Sequence, residues 1–326
     1  MAEKLLSIKN LHVEYRTMEA NVYAVNGVDL ELESGEILGL VGETGAGKTT
    51  TALSVIGLLP DKIGKVTEGS IIFDGVDMLS AKDKDLRLLR GADISMIFQD
   101  PMSSLNPVIT IGDQILEVLK LHNADNLSSD ELQKKVDEIM EMVGIPAERK
   151  REYPHQFSGG MKQRVVIAIA LACQPKLILA DEPTTALDVT IQAQVLAMMV
   201  DLQKKINTSM IIITHDLGIV AQTCKKVAVM YGGMLVEYGS VEDIFQSEKR
   251  HPYTQGLFDS IPNLEVETER LIPIGGQVAD PTVQRTSCTF LERCKHRSEL
   301  CEKCPGMTEV ETGHFIRCRL FEGEKR

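Results

Sequence analysis

The sequence predicts an α/β fold built on a largely parallel sheet. Three observations carry that expectation. Short continuous apolar runs recur along the chain: "EILGLVG" at 36–42, "KLILADEP" at 176–183 and "MIIITHD" at 210–216. Such runs are typical of strands buried on both faces. Stretches with helical spacing lie between them, and alternation of this kind builds a parallel sheet. The first run leads at once into a glycine-rich turn, "GETGAGKTT" at 42–50, and then into a helix pattern.

The elements follow in order. Leu6, Ile8, Leu11, Val13 and Tyr15 alternate with polar residues and predict a strand near the N-terminus. "VDLELES" at 28–34 alternates apolar and acidic residues, as a half-buried strand does. The helix after the glycine turn is expected from 48 to 59, ending before Pro60. "SIIFDGVDM" at 70–78 and "ISMIFQD" at 94–100 are two further strand patterns. Residues 111–121 and 130–143 have amphipathic helical spacing, and the stretch from about 100 to 160 is expected as an inserted helical subdomain. A long apolar helix is predicted at 161–173. "KVAVMY" at 226–231 reads as another buried strand, joined to "MLVEYG" through Gly232 and Gly233, a pair suited to a tight hairpin. After residue 250 the chain turns rich in Pro and Gly, in "HPYTQGLFDSIPNL" (251–264) and "RLIPIGGQVADPT" (270–282). A boundary is therefore expected there, separating a domain at 1–250 from a small module at 251–326.

Composition narrows the function. The chain has 326 residues, 43% of them hydrophobic, enough to bury a sizeable core. Its net charge of −12 argues against a nucleic-acid platform, which needs clustered Lys and Arg. The longest apolar run, 165–173, is about half the ~18 residues of a membrane span. The N-terminus has no apolar core of secretory type. A soluble, cytoplasmic protein is expected, with any membrane role reached through a partner.

"GETGAGKTT" fits G-x-x-x-x-G-K-[ST]. Glycines let the backbone curl so that successive N–H groups face phosphate oxygens, and the next helix presents its positive end to the same anion. Gly42, Glu43, Thr44, Gly45, Ala46, Gly47, Lys48, Thr49 and Thr50 form this candidate site. Lys48 adds a point charge for the β- and γ-phosphates, and Thr49 a hydroxyl for Mg²⁺. "LILADEP" supplies two carboxylates at the carboxyl end of a buried strand, where ligands bind in such sheets. Asp181 can hold Mg²⁺ through its water shell, and Glu182 can polarise an attacking water. "FSGGMKQR" sets Ser158, Gly159 and Gly160 at the start of the long apolar helix, a second helix start suited to an anion. "ALD" at 186–188 and "THD" at 214–216 follow two more strands.

This constellation resembles the nucleotide-binding subunits of ABC transporters, over residues 1 to about 250. "GETGAGKT" is similar to the Walker A motif, "LILADE" to the Walker B and "FSGGM" to the family signature. Gln99 in "IFQDP" resembles the Q-loop glutamine, Asp188 the D-loop aspartate, His215 the switch histidine and Tyr15 the aromatic that stacks on adenine. One position departs from the pattern: Met161 stands at the usual signature glutamine. The resemblance implies a P-loop ABC ATPase domain with a RecA-like core, an antiparallel β subdomain and a helical subdomain. It implies that two such domains sandwich two ATP molecules head to tail, the Ser158–Gly160 helix start of one covering the γ-phosphate held by Lys48 of the other. His215 would contact that phosphate, Gln99 would sense it and take part in Mg²⁺ binding, and Glu182 would act as base.

"HPYTQGLFDSIP", "IPIGGQVADP" and the cysteine-bearing tail resemble the ATPases of oligopeptide and dipeptide importers, which extends the likeness to nearly the whole chain. The implied partners are a second, related ATPase or a second copy of the chain, two membrane permease subunits and, through them, an external substrate-binding protein. The implied place is the cytoplasmic face of a prokaryotic cell membrane. Similar importers carry nickel complexes or short sugars. Soluble relatives in translation or DNA repair duplicate the cassette or insert a long coiled coil, and this chain does neither.

Five of the seven cysteines fall between residues 288 and 318. A cytoplasmic setting disfavours disulfides. Cys301 and Cys304 have zinc-knuckle spacing, with His296 and His314 as further candidate ligands. Soft thiolates equally suit an iron–sulfur cluster. The importer resemblance implies a [4Fe–4S] cluster on Cys288, Cys294, Cys301 and Cys318, which match its C-x₅-C-x₆-C…C pattern. Cys304 is then the outsider, or it replaces Cys301 or Cys318.

Overall fold

The computed structural model describes residues 4–185, 187–261 and 273–323. Ala186 and the adjoining ends of the two proline-rich stretches therefore lie outside the described residues. The elements, in chain order, are β1 (Lys4–Arg16), β2 (Asn21–Glu33), β3 (Ile37–Val41), α1 (Lys48–Ile56), β4 (Gly64–Phe73), β5 (Val76–Asp77), α2 (Asp83–Leu89), β6 (Ile94–Ile97) and α3 (Pro101–Ser104). Then come α4 (Ile111–Leu121), α5 (Ser129–Met142), α6 (Gly159–Leu171), β7 (Leu177–Asp181), α7 (Val189–Ile206), β8 (Ser209–Thr214) and α8 (Leu217–Thr223). The chain closes with β9 (Lys226–Tyr231), β10 (Met234–Ser240), α9 (Val241–Gln246), α10 (Pro252–Asp259), β11 (Thr308–Glu311) and β12 (His314–Ile316).

The expected alternation of strands and helices is present, with differences that have local causes. α1 stops at Ile56 rather than near Pro60, because Gly57 takes a left-handed φ of 67° and its N–H closes the last turn. The strand expected from 70 starts at Gly64 and is followed by Asp74 and Gly75, both at positive φ. Asp-Gly is a favoured pair for a tight two-residue turn. α5 starts at Ser129 because Ser128 and Glu131 form a reciprocal capping box. α6 starts at Gly159, with Ser158 as its N-cap. Gly232 and Gly233 make the expected hairpin, both at positive φ, between the antiparallel strands β9 and β10.

The chain forms two compact units. The first holds residues 73–214 with two short upstream pieces. Here β6, β7 and β8 run parallel, with β7 between its two neighbours. β7 and β8 are buried along their whole length. α3, α4 and α5, the expected helical insert, belong to this unit, and α4 and α5 bury Ile111, Ile115, Val136 and Met140.

The second unit holds residues 6–31 and 38–72 and the described residues from His215 onward. β2, β1 and β4 lie side by side in one sheet. β3 pairs in parallel with β9, and β10, β12 and β11 extend that sheet antiparallel. One core cluster joins Val41, Val229, Tyr231, Tyr253 and Phe290. Tyr231 and Phe290 meet edge to face at 5.2 Å between ring centroids, a favoured aromatic geometry. The C-terminal stretch thus packs its aromatic residues on β9, a contact that weak periodicity did not announce. Among the described residues no helix is long and apolar enough to cross a membrane.

Candidate functional site

The candidate phosphate-loop residues, 42–50, lie in the second unit. β3 is buried at all five positions and delivers the chain to Gly42. A Cβ on Gly42 would stand 2.2 Å from the Met230 carbonyl oxygen. One on Gly47, whose φ is +100°, would stand 2.4 Å from the Ala24 carbonyl oxygen. Both carbonyls are backbone and cannot yield, so only glycine fits this close approach. Lys48 opens α1 and is buried. Its Nζ donates to the carbonyls of Gly42 at 2.7 Å and Glu43 at 3.0 Å. The ammonium is thus folded back over its own loop. Thr44, Gly45 and Thr49 are exposed, and Ala46 is buried. Tyr15 donates its hydroxyl to Thr50 Oγ1 at 3.1 Å, which brings the aromatic ring to the start of α1.

Glu43 has partners that sequence reasoning missed. Its N–H donates to the Tyr253 phenol oxygen at 2.8 Å. Its two carboxylate oxygens take Arg293 Nη1 at 2.6 Å and Nη2 at 3.1 Å. This is a forked, charge-assisted pair. The Arg293 side chain is only 4% exposed. The hydrogen bond to Glu43 raises the Arg293 pKa further, and burial pushes the Tyr253 phenol upward. Tyr253 stands inside "HPYTQ" and Arg293 directly before Cys294. Neither carries local information about a partner more than 200 residues away. His215 is exposed at the end of β8, and Asp216 caps α8 through the N–H groups of Gly218 and Ile219.

The acidic residues lie in the first unit. β7 carries Asp181, 4% exposed, to its carboxyl end. Glu182 then takes a φ of 45°, a region costly for a residue other than glycine. Its N–H donates to the Ile213 carbonyl at 2.8 Å, anchoring the turn to β8. Its carboxylate Oε2 accepts Gln99 Nε2 at 2.9 Å and Thr185 Oγ1 at 2.9 Å. Gln99 and Glu182, 83 positions apart, are thus brought together. Ser158 caps α6, its hydroxyl accepting the Met161 N–H at 3.4 Å. Ser158 and Gly159 are exposed. A Cβ on Gly160 would stand 2.5 Å from Ile191 Cγ2, so α6 and α7 approach closely there. Asp188 caps α7 through the Ile191 N–H at 3.0 Å. Arg149 Nη1 lies 3.4 Å from Met161 Sδ.

All seven cysteines are free thiols. The Cys288 N–H donates to the Cys301 carbonyl at 2.9 Å. Burial raises the thiol pKa of Cys288 and Cys318 to about 11. Cys304 Sγ lies 3.7 Å from Met234 Sδ. Among the described residues the cysteines do not form a tight single-ion group; the group that does is Asp243, Glu311 and His314. His314 Nε2 pairs with Glu237 at 2.9 Å instead of joining the cysteines.

Residues 25–185 match the family described as ABC transporter, and residues 236–301 match the oligopeptide/dipeptide transporter C-terminal region. The chain is 48% identical to the dipeptide transport ATP-binding protein DppD of Bacillus subtilis (strain 168), over 98% of this chain and 95% of that one. It is 44% identical to the oligopeptide transport ATP-binding protein OppD of Escherichia coli (strain K12), over 97% and 93%. Among solved structures, the ATP-binding cassette MJ0796, dimeric and bound to ADP and Pi, is similar with a TM-score of 0.65 and 27% identity, over 72% of this chain and 98% of that one. CbiO1 of Clostridium perfringens, part of the ABC transporter complex cbiONQ, is similar with a TM-score of 0.64 and 29% identity, over 76% and 92%. A phosphate loop, a buried acidic strand end and relatives of this length lead to one conclusion: the chain belongs to the ATP-binding subunits of the ABC transporter family and is an ABC-type ATPase.

Proposed function

We propose that this ATPase drives uptake of di- and oligopeptides through partner membrane subunits, hydrolysing ATP at the interface of a cassette dimer. The observation that carries the chemical part is the Gln99–Glu182 bond. It links the residue assigned to phosphate sensing with the one assigned to the attacking water. Relatives named for dipeptide and oligopeptide transport, alike over nearly the full length, support the cargo.

In this reading Gly42, Glu43, Thr44, Gly45, Ala46, Gly47, Lys48, Thr49 and Thr50 hold the phosphates and Tyr15 stacks on adenine. Glu182 takes the proton of the attacking water at its carboxylate, oriented by Gln99 and Thr185. His215 contacts the γ-phosphate. Ser158, Gly159, Gly160 and Asp188 face the nucleotide of the opposite cassette. Thr49, Gln99 and Asp181 are the proposed Mg²⁺ ligands, all hard oxygen donors as this ion requires. Mg²⁺ held by these residues would supply charge neutralisation to the phosphates. Gly42 and Gly47, where a Cβ would meet the Met230 and Ala24 carbonyls, let the loop take the tight curl that suits a triphosphate. Residues 1–250 act as the nucleotide-binding domain and 251–326 as a C-terminal module. The partners are a second related ATPase or a second copy, two permease subunits and an external binding protein, with the chain on the cytoplasmic face of the cell membrane.

The cysteines are assigned to a [4Fe–4S] cluster through Cys288, Cys294, Cys301 and Cys318. Support comes from their proximity: Cys288 feels Cys304, Cys301 and Cys318, and Cys294 and Cys318 feel Cys301; the importer pattern chooses among them. The Cys304 thiol, close to Met234, is left outside the set. Anaerobic purification should give a coloured, iron-bearing protein, and Cys304→Ser should keep its iron. A colourless chain with stoichiometric zinc overturns the cluster.

The cargo is tested in cells of the source organism lacking the gene, complemented with wild type or Glu182→Gln. Labelled tripeptide uptake should return with wild type alone. Restored uptake of nickel or a short oligosaccharide, with peptide uptake untouched, would reject the peptide assignment.

A further inference from the structure

His314 opens β12 and is fully buried. Its Nε2 lies 2.9 Å from Oε1 of Glu237, which is equally buried on β10. The other oxygen, Oε2, accepts the His251 backbone N–H at 2.8 Å. A carboxylate that accepts on both oxygens calls for a proton on Nε2, and the neutral ring then offers its Nδ1 lone pair to a ligand. That Nδ1 is buried and has no hydrogen-bond partner. A buried polar atom left unpaired calls for an explanation.

What surrounds the orphaned nitrogen is a pair of carboxylates. Glu311 Oε2, from β11, lies 4.0 Å away. Asp243, in the first turn of α9, completes a group in which one ligand atom from each residue lies within 4.8 Å of the others. Asp243 is held in place, since its Oδ2 accepts the Ser240 N–H at 2.9 Å and the Ser240 hydroxyl at 2.7 Å. The Glu311 side chain is 48% exposed, which opens the group to solvent. Gly239 leaves it room: a Cβ there would stand 3.2 Å from both Asp243 Cβ and His314 Cδ2.

We propose that Asp243, Glu311 and His314 bind one divalent cation of the zinc class, with Glu237 orienting the imidazole from behind. Metal-ligating histidines almost always donate the other ring N–H to a carboxylate or carbonyl, as His314 does. One imidazole and two carboxylates make a mixed nitrogen–oxygen set suited to Zn²⁺ or Co²⁺. Three protein ligands leave a fourth position for water. The ion joins the β11–β12 hairpin to β10 and α9, as a staple for the C-terminal sheet edge. The site shares no residue with the phosphate loop or the cysteines.

The test uses the full-length chain, nucleotide-free and stripped with a chelator, then titrated with Co²⁺ and followed by absorption. One equivalent should bind with ligand-field bands and no thiolate-to-cobalt charge transfer. Glu311→Gln and Asp243→Asn should each weaken that equivalent about tenfold or more, leaving any cysteine-bound metal unchanged. The Asn variant keeps an oxygen for the Ser240 cap. Zn²⁺ should raise the thermal midpoint of wild type and not that of Glu311→Gln. Equal cobalt binding by wild type and both variants overturns the proposal. So does cobalt bound only with thiolate charge transfer, or no cobalt bound at all. His314→Ala leaves Glu237 buried without its imidazole and can fail to fold, so the two carboxylate variants carry the test.

Discussion

Glu182 combines an unfavourable backbone, a fixed N–H and a carboxylate held by two donors. Such strain persists where the surroundings over-determine it, and it clusters at functional turns. Glu182→Gln keeps the shape and removes the proposed base. Hydrolysis should fall about 10²–10⁴-fold, with ATP binding retained, as single-turnover phosphate release and equilibrium nucleotide binding will read. Wild-type turnover in that variant would reject the base assignment. A second residue-scale consequence concerns His251. Burial lowers its pKa from the usual 6.5 to about 3. The unfolded chain therefore binds a proton that the folded chain refuses, and stability contributed by neutral His251 is lost as pH falls from about 6.5 towards 3. Denaturant midpoints measured across that window should fall with pH more steeply in wild type than in His251→Asn.

At the scale of elements, the C-terminal stretch grips Glu43 in the proposed phosphate loop. α10 contributes Tyr253 to the Glu43 N–H, and the turn before Cys294 contributes Arg293 to the Glu43 carboxylate. Arg293→Met keeps the length of the side chain and removes the fork. It should cost about 1.5–3 kcal/mol, the range for hydrogen bonds to charged groups. It should also raise the KM for ATP, since the loop loses an anchor. Thermal unfolding and ATPase titration check the two effects separately. An unchanged KM would mean that the fork serves stability alone. The start of α6 is a simpler case. Its Ser158 cap is replaceable by Gly at small cost to the helix and by Ala at about 1 kcal/mol, so a much larger loss of ATPase in Ser158→Ala would mark a role beyond capping.

At the scale of the whole molecule, one chain carries two helix starts suited to anions, Lys48 at α1 and Ser158 at α6. In the proposed cassette dimer, a chain that offers both needs a second cassette to use both. The purified chain alone should therefore show little ATPase activity at low concentration, and activity should rise on adding the proposed partner ATPase and membrane subunits. Steady-state ATPase measured against protein concentration checks this. Robust, concentration-independent turnover of the isolated chain would argue for a different assembly.

The chemistry was legible wherever it is local. "GETGAGKTT", "LILADE" and "FSGG" each hold strand, turn and helix information in a few consecutive residues. Turn chemistry and burial act at that range, so β3, α1, β7 and the Ser158 cap follow from reading along the chain. The pairs that the sequence leaves open are those closed across long separations. Glu43 finds Arg293 250 residues away, and Glu237 finds His314 77 residues away. Nothing in local propensity selects such partners. Packing of the C-terminal aromatics on β9 and the pairing of β12 with β10 bring them together. The sequence by itself determined that this protein binds and cleaves ATP. Only the tertiary structure decided that its C-terminal region holds Glu43 and shelters a histidine nitrogen without a hydrogen bond among carboxylates, because burial and register exist only once the chain has folded.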